Sequence, residues 1–266
     1  MVDGLLGRML LVPALFVAIP AAAAPWAHDW TANGRLAVHD KTARVAASAN
    51  GHVLVGNQDG AMAMFDAAGS QRWATVAIGP MDYLSAGNYL SAVIVDDDGS
   101  AWYTSSGVSS DGNTVLTRVG ADGRLLWSRP STGSRLARVA DGVIVAGCGN
   151  DYQSSVVSKV DIDGALVWQR VLPRATCGYL SITAAADGGV YVLQYDMPWP
   201  STTSHTLSRL DAAGLLRQSI ASDASWPSDP RLVATPGSLF LAGSRAMRLD
   251  PSTLSTLWSV DASGHA

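Results

Sequence analysis

The chain of 266 residues contains no glutamate and only two lysines, Lys41 and Lys159. Glutamate and lysine commonly fill the exposed faces of helices, so their near absence argues against a helical protein. Glycine is abundant instead, at 26 residues, and it is accompanied by many valine, serine and threonine residues. This composition is typical of an all-β protein with many tight turns.

Positive charge is not concentrated anywhere along the chain. Lysine and arginine total 18, so sixteen residues are arginine, and these are scattered singly. Without a basic stripe the sequence predicts no binding to nucleic acid. The formal net charge is −4 and 48% of the residues are apolar, which is ordinary for a chain that buries a sizeable core.

Signatures of metal sites and nucleophiles are also missing. The sequence contains no His-Glu-x-x-His, no Gly-x-Ser-x-Gly, no phosphate loop and no Cys-x-x-Cys. The acidic runs Asp96–Gly99 and Asp161–Gly164 suggest calcium, but neither continues into a full loop with a terminal carboxylate. Both are interpreted as solvated turns, and the sequence predicts neither a metal nor a cofactor.

The N-terminus has the pattern of a secretory signal peptide. Arg8 precedes an apolar run of about ten residues, which Pro20 and four alanines follow. Cleavage after Ala23 is predicted, so that residues 1–23 are removed and the mature protein is periplasmic or secreted. The run is too short to span a bilayer comfortably, and no later segment predicts an integral membrane span.

A single phrase, apolar-Asp-x-x-Gly-x-x-x-Trp, recurs five times with individual lapses. A second phrase, glycine followed by alternating apolar residues, precedes most copies, and the pair repeats about every 40–54 residues. This is the length of a β-propeller blade. The five copies begin at Phe65, Val119, Val160, Leu210 and Leu249.

The repeat predicts one all-β domain, a β-propeller of about five four-stranded blades over residues 24–262, with residues 263–266 as a disordered tail. In the third unit the predicted strands are Arg135–Val139, Val143–Ala146, Ser155–Val160 and Ala165–Val171. The Asp-x-x-Gly element forms the turn before the outermost strand, because aspartate accepts local hydrogen bonds and glycine tolerates positive φ.

Four repeated tryptophans are predicted to be structural. A tryptophan on the outermost strand can cover the seam to a neighbouring blade while its N–H finds a carbonyl. The four residues are Trp73, Trp127, Trp168 and Trp258.

These repeats resemble the quinoprotein-like propeller family, whose motif is Ala-x-Asp-x-x-x-Gly-Lys-x-x-Trp. Leu249–Trp258 is the closest copy, with Leu254 at the glycine position. The resemblance covers roughly residues 30–262 and implies a propeller fold. The quinone-dependent dehydrogenases of this family are larger, usually eight-bladed and dependent on a calcium site.

The sequence does not decide whether the ring of blades closes. Asn33–Val38 resembles a turn plus an outer strand, although the last unit already ends in its own outer strand at Trp258. The chain is therefore either a compact five-bladed ring with an extra N-terminal edge strand or part of a larger, incompletely closed ring. Open edges favour self-association through strand pairing.

Cys148 and Cys177 are the two cysteines of the chain. An even number in an exported protein favours a disulfide, and both fall on one face at the junction of units three and four. The alternative is two buried free thiols.

Loops on this same face carry aromatic residues beside aspartate and asparagine, which suits recognition of a protein or carbohydrate. The alternative is that the tryptophans anchor their own loops beside prolines. The candidate binding residues are Asp82, Tyr83, Tyr152, Tyr195, Asp196, Trp199, His205 and Trp226.

The sequence thus predicts an exported, non-enzymatic propeller that binds or scaffolds a protein or a polysaccharide. The alternative is an enzyme, either similar to the quinone-dependent dehydrogenases or a five-bladed glycosidase. A glycosidase needs two or three carboxylates around the channel. Without glutamate all of them would be aspartates, and most aspartates here occupy turn positions.

Overall fold

The computed structural model describes residues 44–57, 60–77, 89–106, 114–149, 154–173, 180–196, 204–222, 226–227 and 230–261. These residues form 20 β-strands in five four-stranded antiparallel sheets. Each sheet is built from four consecutive strands, as the repeat predicted, and each is one blade of a β-propeller. No helix among these residues is long and apolar enough to cross a membrane.

The strands run in chain order from the inner to the outer edge of each blade. Blade 1 consists of β1 (Arg44–Ala47), β2 (Val53–Gly56), β3 (Ala61–Phe65) and β4 (Gln71–Val76). Blade 2 consists of β5 (Tyr89–Val95), β6 (Ala101–Ser106), β7 (Thr114–Val119) and β8 (Leu125–Ser131). Blade 3 consists of β9 (Arg135–Val139), β10 (Gly142–Cys148), β11 (Ser154–Asp161) and β12 (Leu166–Pro173).

The last two blades repeat this arrangement. Blade 4 consists of β13 (Leu180–Ala184), β14 (Val190–Asp196), β15 (Ser204–Leu210) and β16 (Leu216–Ala221). Blade 5 consists of β17 (Arg231–Thr235), β18 (Ser238–Ala242), β19 (Arg245–Leu249) and β20 (Thr256–Asp261).

The Asp-x-x-Gly phrase forms the turn between the third and fourth strands. In blade 3, Oδ1 of Asp161 accepts hydrogen bonds from the amides of Asp163 (3.0 Å) and Ala165 (2.7 Å). Gly164 has φ +84°, a conformation that costs glycine little. The strand register shifts beside this turn in every blade, so the outer strand carries one extra residue there.

One residue from each strand lines up in register across every blade, on the face toward the following blade. We call these four residues the forward row. The forward rows of blades 1 to 5 are Ala46-Leu54-Met64-Trp73, Ile94-Trp102-Arg118-Trp127, Ala137-Ile144-Lys159-Trp168, Thr183-Tyr191-Arg209-Gln218 and Val233-Phe240-Arg248-Trp258.

The core of the protein lies in the seams between blades. Ala137, Ile144 and Trp168 of the blade 3 forward row pack against Val190 and Val192 of blade 4. Equivalent apolar clusters fill the seams between blades 1 and 2, 2 and 3, and 4 and 5. Burying apolar side chains from both sheets is the main source of stability in such an array.

In blades 1, 2 and 3 the outer tryptophan of the forward row docks on the turn of the next blade. Nε1 of Trp168 donates to the carbonyl oxygen of Ala212 at 2.9 Å, and its ring lies against Gly214 of that turn. A Cβ added to Gly214 would lie only 2.6 Å from Cδ2 of Trp168, so the ring needs glycine there. Trp127 docks in the same way, with Nε1 donating to the carbonyl oxygen of Ile162 at 3.0 Å.

The five described blades form an open arc. The inner strands of consecutive blades pack side by side from β1 to β17, whereas β17 and β1 share no comparable packing. Of the two alternatives for closure, the described residues match the incompletely closed one. The proposed N-terminal edge strand over residues 33–38 lies outside the described residues.

Candidate functional site

A cleft opens between blades 4 and 5, on the side of the blades where their inner strands β13 and β17 begin. It has a volume of about 290 Å³. Leu180 and Arg231 are the first residues of the two inner strands, and Tyr195 pairs with His205 where β14 and β15 approach their connection. The cleft is lined by Leu180, Ser181, Leu193, Tyr195, His205, Pro230 and Arg231.

Two aromatic side chains, Tyr195 and His205, form one wall, and a third, Trp226, contacts His205. The ring of His205 lies 4.8 Å from the ring of Tyr195, tilted by 60°. On its other side His205 stacks on Trp226, with centroids 6.4 Å apart and planes 21° from parallel. His205 is therefore held between two aromatic rings, and Trp226 also packs on the apolar core of the blade 4–5 seam.

Hydrogen bonds from the surrounding strands fix this wall. The amide of His205 donates to Oγ of Ser222 at 2.8 Å, and the amide of Ser222 donates to the carbonyl oxygen of His205 at 2.7 Å. Ser181 bridges the two blades, because its Oγ accepts a hydrogen bond from the amide of Leu232 at 3.1 Å. The cleft is thus a rigid feature of two packed blades.

The lining combines apolar, aromatic and polar groups. Leu180 and Leu193 provide apolar surface, Tyr195 a phenol, and Arg231 an exposed guanidinium at the rim. Concave sites with mostly apolar walls and a few polar groups are typical of ligand recognition. Arginine and aromatic side chains are also the residues that most often dominate binding energy at protein surfaces.

A smaller cavity of about 160 Å³ lies in the same seam, beside Tyr191, Asp187 and Arg209. The hydroxyl of Tyr191 donates to the carbonyl oxygen of Pro251 at 2.8 Å, and burial raises the pKa of this phenol. Burial opposes ionisation of Asp187, but hydrogen bonds from Arg209 (2.6 Å) and from the amide of Gly189, together with the charge of Arg209, outweigh it and hold the pKa of Asp187 below its usual value. The Tyr191 hydrogen bond joins blade 4 to blade 5, whereas Asp187 and Arg209 pair within blade 4.

The acidic run Asp96–Gly99 has structural contacts, as the turn Asp161–Gly164 does. Oδ2 of Asp96 accepts the indole N–H of Trp102 at 2.9 Å, and Oδ1 pairs with Arg138 of the next blade. Oδ1 of Asp98 accepts the hydroxyl and the amide of Ser100. Within the described ranges no group of three or more histidine, cysteine or acidic residues is placed to hold a metal ion.

Three of the predicted binding residues, Tyr195, His205 and Trp226, come together at the cleft. Asp196 ends β14, where its backbone pairs with Ser204. The remaining candidates, Asp82, Tyr83, Tyr152 and Trp199, lie outside the described residues.

Sequence reasoning missed the floor and the rim of the cleft. Leu180 and Leu193 look like ordinary core residues, and Arg231 is one of many isolated arginines. The available signal was position, because Pro230 and Arg231 stand directly before the first strand of a repeat unit. Such positions lie at the same end of the blades as Tyr195 and His205.

The residues that were predicted to be structural lie in different environments. Trp73 and Trp168 are buried and Trp127 is half-buried, whereas Trp258 is 42% exposed. Cys148 is the last residue of β10 and is disulfide-bonded. Cys177 lies outside the described residues, so its pairing with Cys148 stays a prediction.

Several solved structures are similar to this chain, while no family model and no curated protein matches it. A chain of the mitotic checkpoint complex is 13% identical, with 97% of this chain and 76% of that one covered and a TM-score of 0.63. A quinohemoprotein alcohol dehydrogenase from Pseudomonas putida HK5 is 15% identical over 82% of this chain and 42% of its own, with a TM-score of 0.54. The Dos1 propeller is 12% identical over 81% and 56%, with a TM-score of 0.53.

These likenesses show a β-propeller that resembles the quinoprotein-like propellers at the level of the fold. The chain spans less than two thirds of the dehydrogenase and of the Dos1 propeller. At identities of this size the fold is the feature that the structures share, and function has to be argued from the site.

Proposed function

We propose that this chain is an exported, non-enzymatic propeller that binds a protein or a polysaccharide at the cleft between blades 4 and 5. The observation that carries the proposal is the stack of Tyr195, His205 and Trp226 beside the exposed guanidinium of Arg231. Aromatic faces and an arginine suit both an extended peptide and the faces of sugar rings.

The surrounding fold supports a binding role. The cleft lies where two blades meet, and its walls are held by hydrogen bonds within and between blades. A preorganised site loses little conformational entropy when a ligand binds. One of the similar chains was solved within the mitotic checkpoint complex, which is consistent with a propeller that works in a protein assembly.

Export is part of the proposal and has its own test. The leader with its alanine cluster predicts a mature protein that begins at Ala24. N-terminal sequencing of the protein recovered from periplasm or medium should find this residue. Recovery in the cytoplasm with Met1 retained would contradict export without bearing on the cleft.

The binding test compares the wild type with Tyr195→Ala and Arg231→Glu. Each purified protein is immobilised and exposed to periplasmic extract and, separately, to a panel of polysaccharides. Captured proteins are identified by mass spectrometry, purified and titrated again by calorimetry. We expect both variants to lose at least tenfold in affinity for the same ligand, which corresponds to about 1.4 kcal/mol.

Arg72→Glu is the matched control, since Arg72 is an exposed arginine of β4 in blade 1, outside the cleft. It should bind as the wild type does. If Tyr195→Ala and Arg231→Glu keep full affinity while retaining the wild-type melting temperature, the cleft is not the binding site.

A further inference from the structure

The forward row of blade 5 is the only one among the described blades that no following blade covers. Val233 is 43% exposed and Trp258 42% exposed, whereas the equivalent Ala137 and Trp168 of blade 3 are buried. Phe240 and Trp258 contact each other, with ring centroids 6.2 Å apart. Blade 5 therefore ends the arc with an aromatic face of the kind that forms a seam elsewhere.

This face repeats the forward row of blade 2. Both rows have a β-branched residue, an aromatic residue, an arginine and a tryptophan in the same order across the sheet. Val233, Phe240, Arg248 and Trp258 correspond to Ile94, Trp102, Arg118 and Trp127.

The seam between blades 2 and 3 shows the kind of surface that such a row binds. Nε1 of Trp127 and Nη1 of Arg118 both donate to the carbonyl oxygen of Ile162, each at 3.0 Å. Ile162 is the second residue of the turn Asp161–Gly164, and the ring of Trp127 lies against Gly164. The arginine and the tryptophan together hold one turn carbonyl of the next blade.

In blade 5 the corresponding residues, Arg248 and Trp258, have no turn carbonyl of a following blade to donate to among the described residues. Arg248 makes no hydrogen bond or ion pair within the described part of the chain; its Nε is buried without a partner, as is Nε of Arg118, but Arg118 has the carbonyl of Ile162 as a partner for its Nη1. The cations of blades 3 and 4 are paired with aspartates of their own blades, Lys159 with Asp141 and Arg209 with Asp187. Blade 5 has Pro236 and Gly237 at that turn, so it offers Arg248 no carboxylate.

The complementary surface lies at the other end of the arc. The turn Asp66–Gly69 of blade 1 has the geometry of Asp161–Gly164, since Oδ1 of Asp66 accepts the amides of Ala68 (3.0 Å) and Ser70 (2.9 Å). Ala67, the counterpart of Ile162, is exposed. On the inner strand, Val45 faces away from blade 2 and is 63% exposed.

We propose that a second copy of this chain covers the open face of blade 5 with its blade 1, in a head-to-tail contact. Trp258 and Arg248 of one copy donate to the carbonyl oxygen of Ala67 in the other, as Trp127 and Arg118 do to Ile162 within one chain. Val45 of the second copy packs on Val233 and Phe240. The contact is heterologous, so the donor and the acceptor surfaces belong to opposite ends of the molecule.

The test uses one variant for each end and sedimentation velocity as the readout. Trp258→Ala removes the donor and Val45→Arg places a charge in the acceptor face. Both residues are exposed in the single chain, and circular dichroism with thermal melting checks that both variants fold. Leu257→Ala and Val171→Arg are the matched controls, since both are exposed residues elsewhere on outer strands.

The wild type and both controls should sediment above the monomer mass, with a population that grows with concentration. Each end variant alone should lose this species. An equal mixture of Trp258→Ala and Val45→Arg should regain a 1:1 dimer, because Trp258→Ala keeps an intact acceptor and Val45→Arg an intact donor.

Three results would overturn the proposal. The first is a wild type that stays monomeric at every concentration, as expected if the ring closes within one chain. The second is association of Val45→Arg alone, which would mean that two blade 5 faces meet each other. The third is failure of the mixture to associate although both variants are folded.

Discussion

Leu254 is the single non-glycine residue with positive φ in the described part of the chain, at +57°. It stands where the repeat motif has glycine, in a turn that is one residue longer than the others. A left-handed conformation costs an L-residue roughly 1–2 kcal/mol. The side chain is only 1% exposed and belongs to the core of the blade 4–5 seam, so burial offsets the backbone strain.

This balance predicts an unusual order of stabilities at position 254. Leu254→Ala loses the buried side chain and keeps the strain, so it should destabilise the protein by about 2–5 kcal/mol. Leu254→Gly loses the same contacts but relieves the strain, and it should be more stable than Leu254→Ala by about 1 kcal/mol. Urea denaturation of the three proteins measures this order, and an alanine variant more stable than the glycine variant would contradict it.

Asp250 opens the same turn and has the most strongly shifted pKa among the described carboxyl groups. Hydrogen bonds from the hydroxyl of Ser252 and from the amides of Thr253 and Ser252 lower the pKa of Asp250 from 3.8 to about 2. Because the folded pKa is depressed, the stabilising contribution is fully present above pH 3.8. It is lost as the pH falls through the folded pKa of about 2.

The prediction for Asp250 is therefore a titration well below the usual aspartate range, observable by carbon-detected NMR of its carboxyl. Asp250→Asn should remove this titration and flatten the pH dependence of unfolding between pH 3.8 and 2. An Asp250 that titrates near 3.8 would show that these hydrogen bonds do not favour the charged form.

At the scale of the element, the role of each repeated tryptophan depends on whether another blade packs against its strand. Trp168 docks on the turn of blade 4, whereas Trp258 has no following blade in the described part of the chain. Trp168→Ala should therefore destabilise the protein by about 3–5 kcal/mol. Trp258→Ala should cost less than about 1 kcal/mol in dilute protein, since it removes a partly exposed side chain.

Thermal melting at low protein concentration decides between these environments. Trp168→Phe is a useful control, because it keeps most of the apolar contact and loses the hydrogen bond to Ala212. Its destabilisation should fall between those of the wild type and Trp168→Ala. Equal losses for Trp168→Ala and Trp258→Ala would mean that Trp258 is covered in solution.

Strands and turns are the part of this fold that sequence predicts well. The predicted strand Arg135–Val139 coincides with β9, and Ser155–Val160 falls within β11. This works because each blade is local in sequence, with alternation and turn residues repeated at a short distance. The same phrase predicted one role for all four tryptophans, but whether another blade covers β20 depends on how the two ends of the chain meet.

The sequence predicted only part of the candidate site, for a related reason. Tyr195 and His205 stand out as polar aromatic residues on one hairpin and are direct partners across β14 and β15. Arg231 reaches the cleft from the next blade, and its neighbourhood depends on the packing of two sheets. Contacts between blades are set by tertiary structure, which local periodicity does not describe.

At the scale of the whole molecule, an open arc should be least stable at its two ends. Blades 2, 3 and 4 are covered on both faces by other described blades, while blades 1 and 5 are covered on one. In repeat arrays stability is approximately a sum of unit and neighbour terms, so an end unit lacks one interface term. Amide hydrogen exchange reads this out strand by strand.

The comparison has to match strands of the same type, because inner and outer strands differ in exposure within any blade. In dilute protein, amides of β20 should exchange at least tenfold faster than those of β12, and amides of β1 faster than those of β9. A tenfold difference corresponds to about 1.4 kcal/mol of local opening free energy. Uniform protection across β1, β9, β12 and β20 would show instead that both terminal blades are covered in solution, and the arc would then have to be closed by part of the same chain.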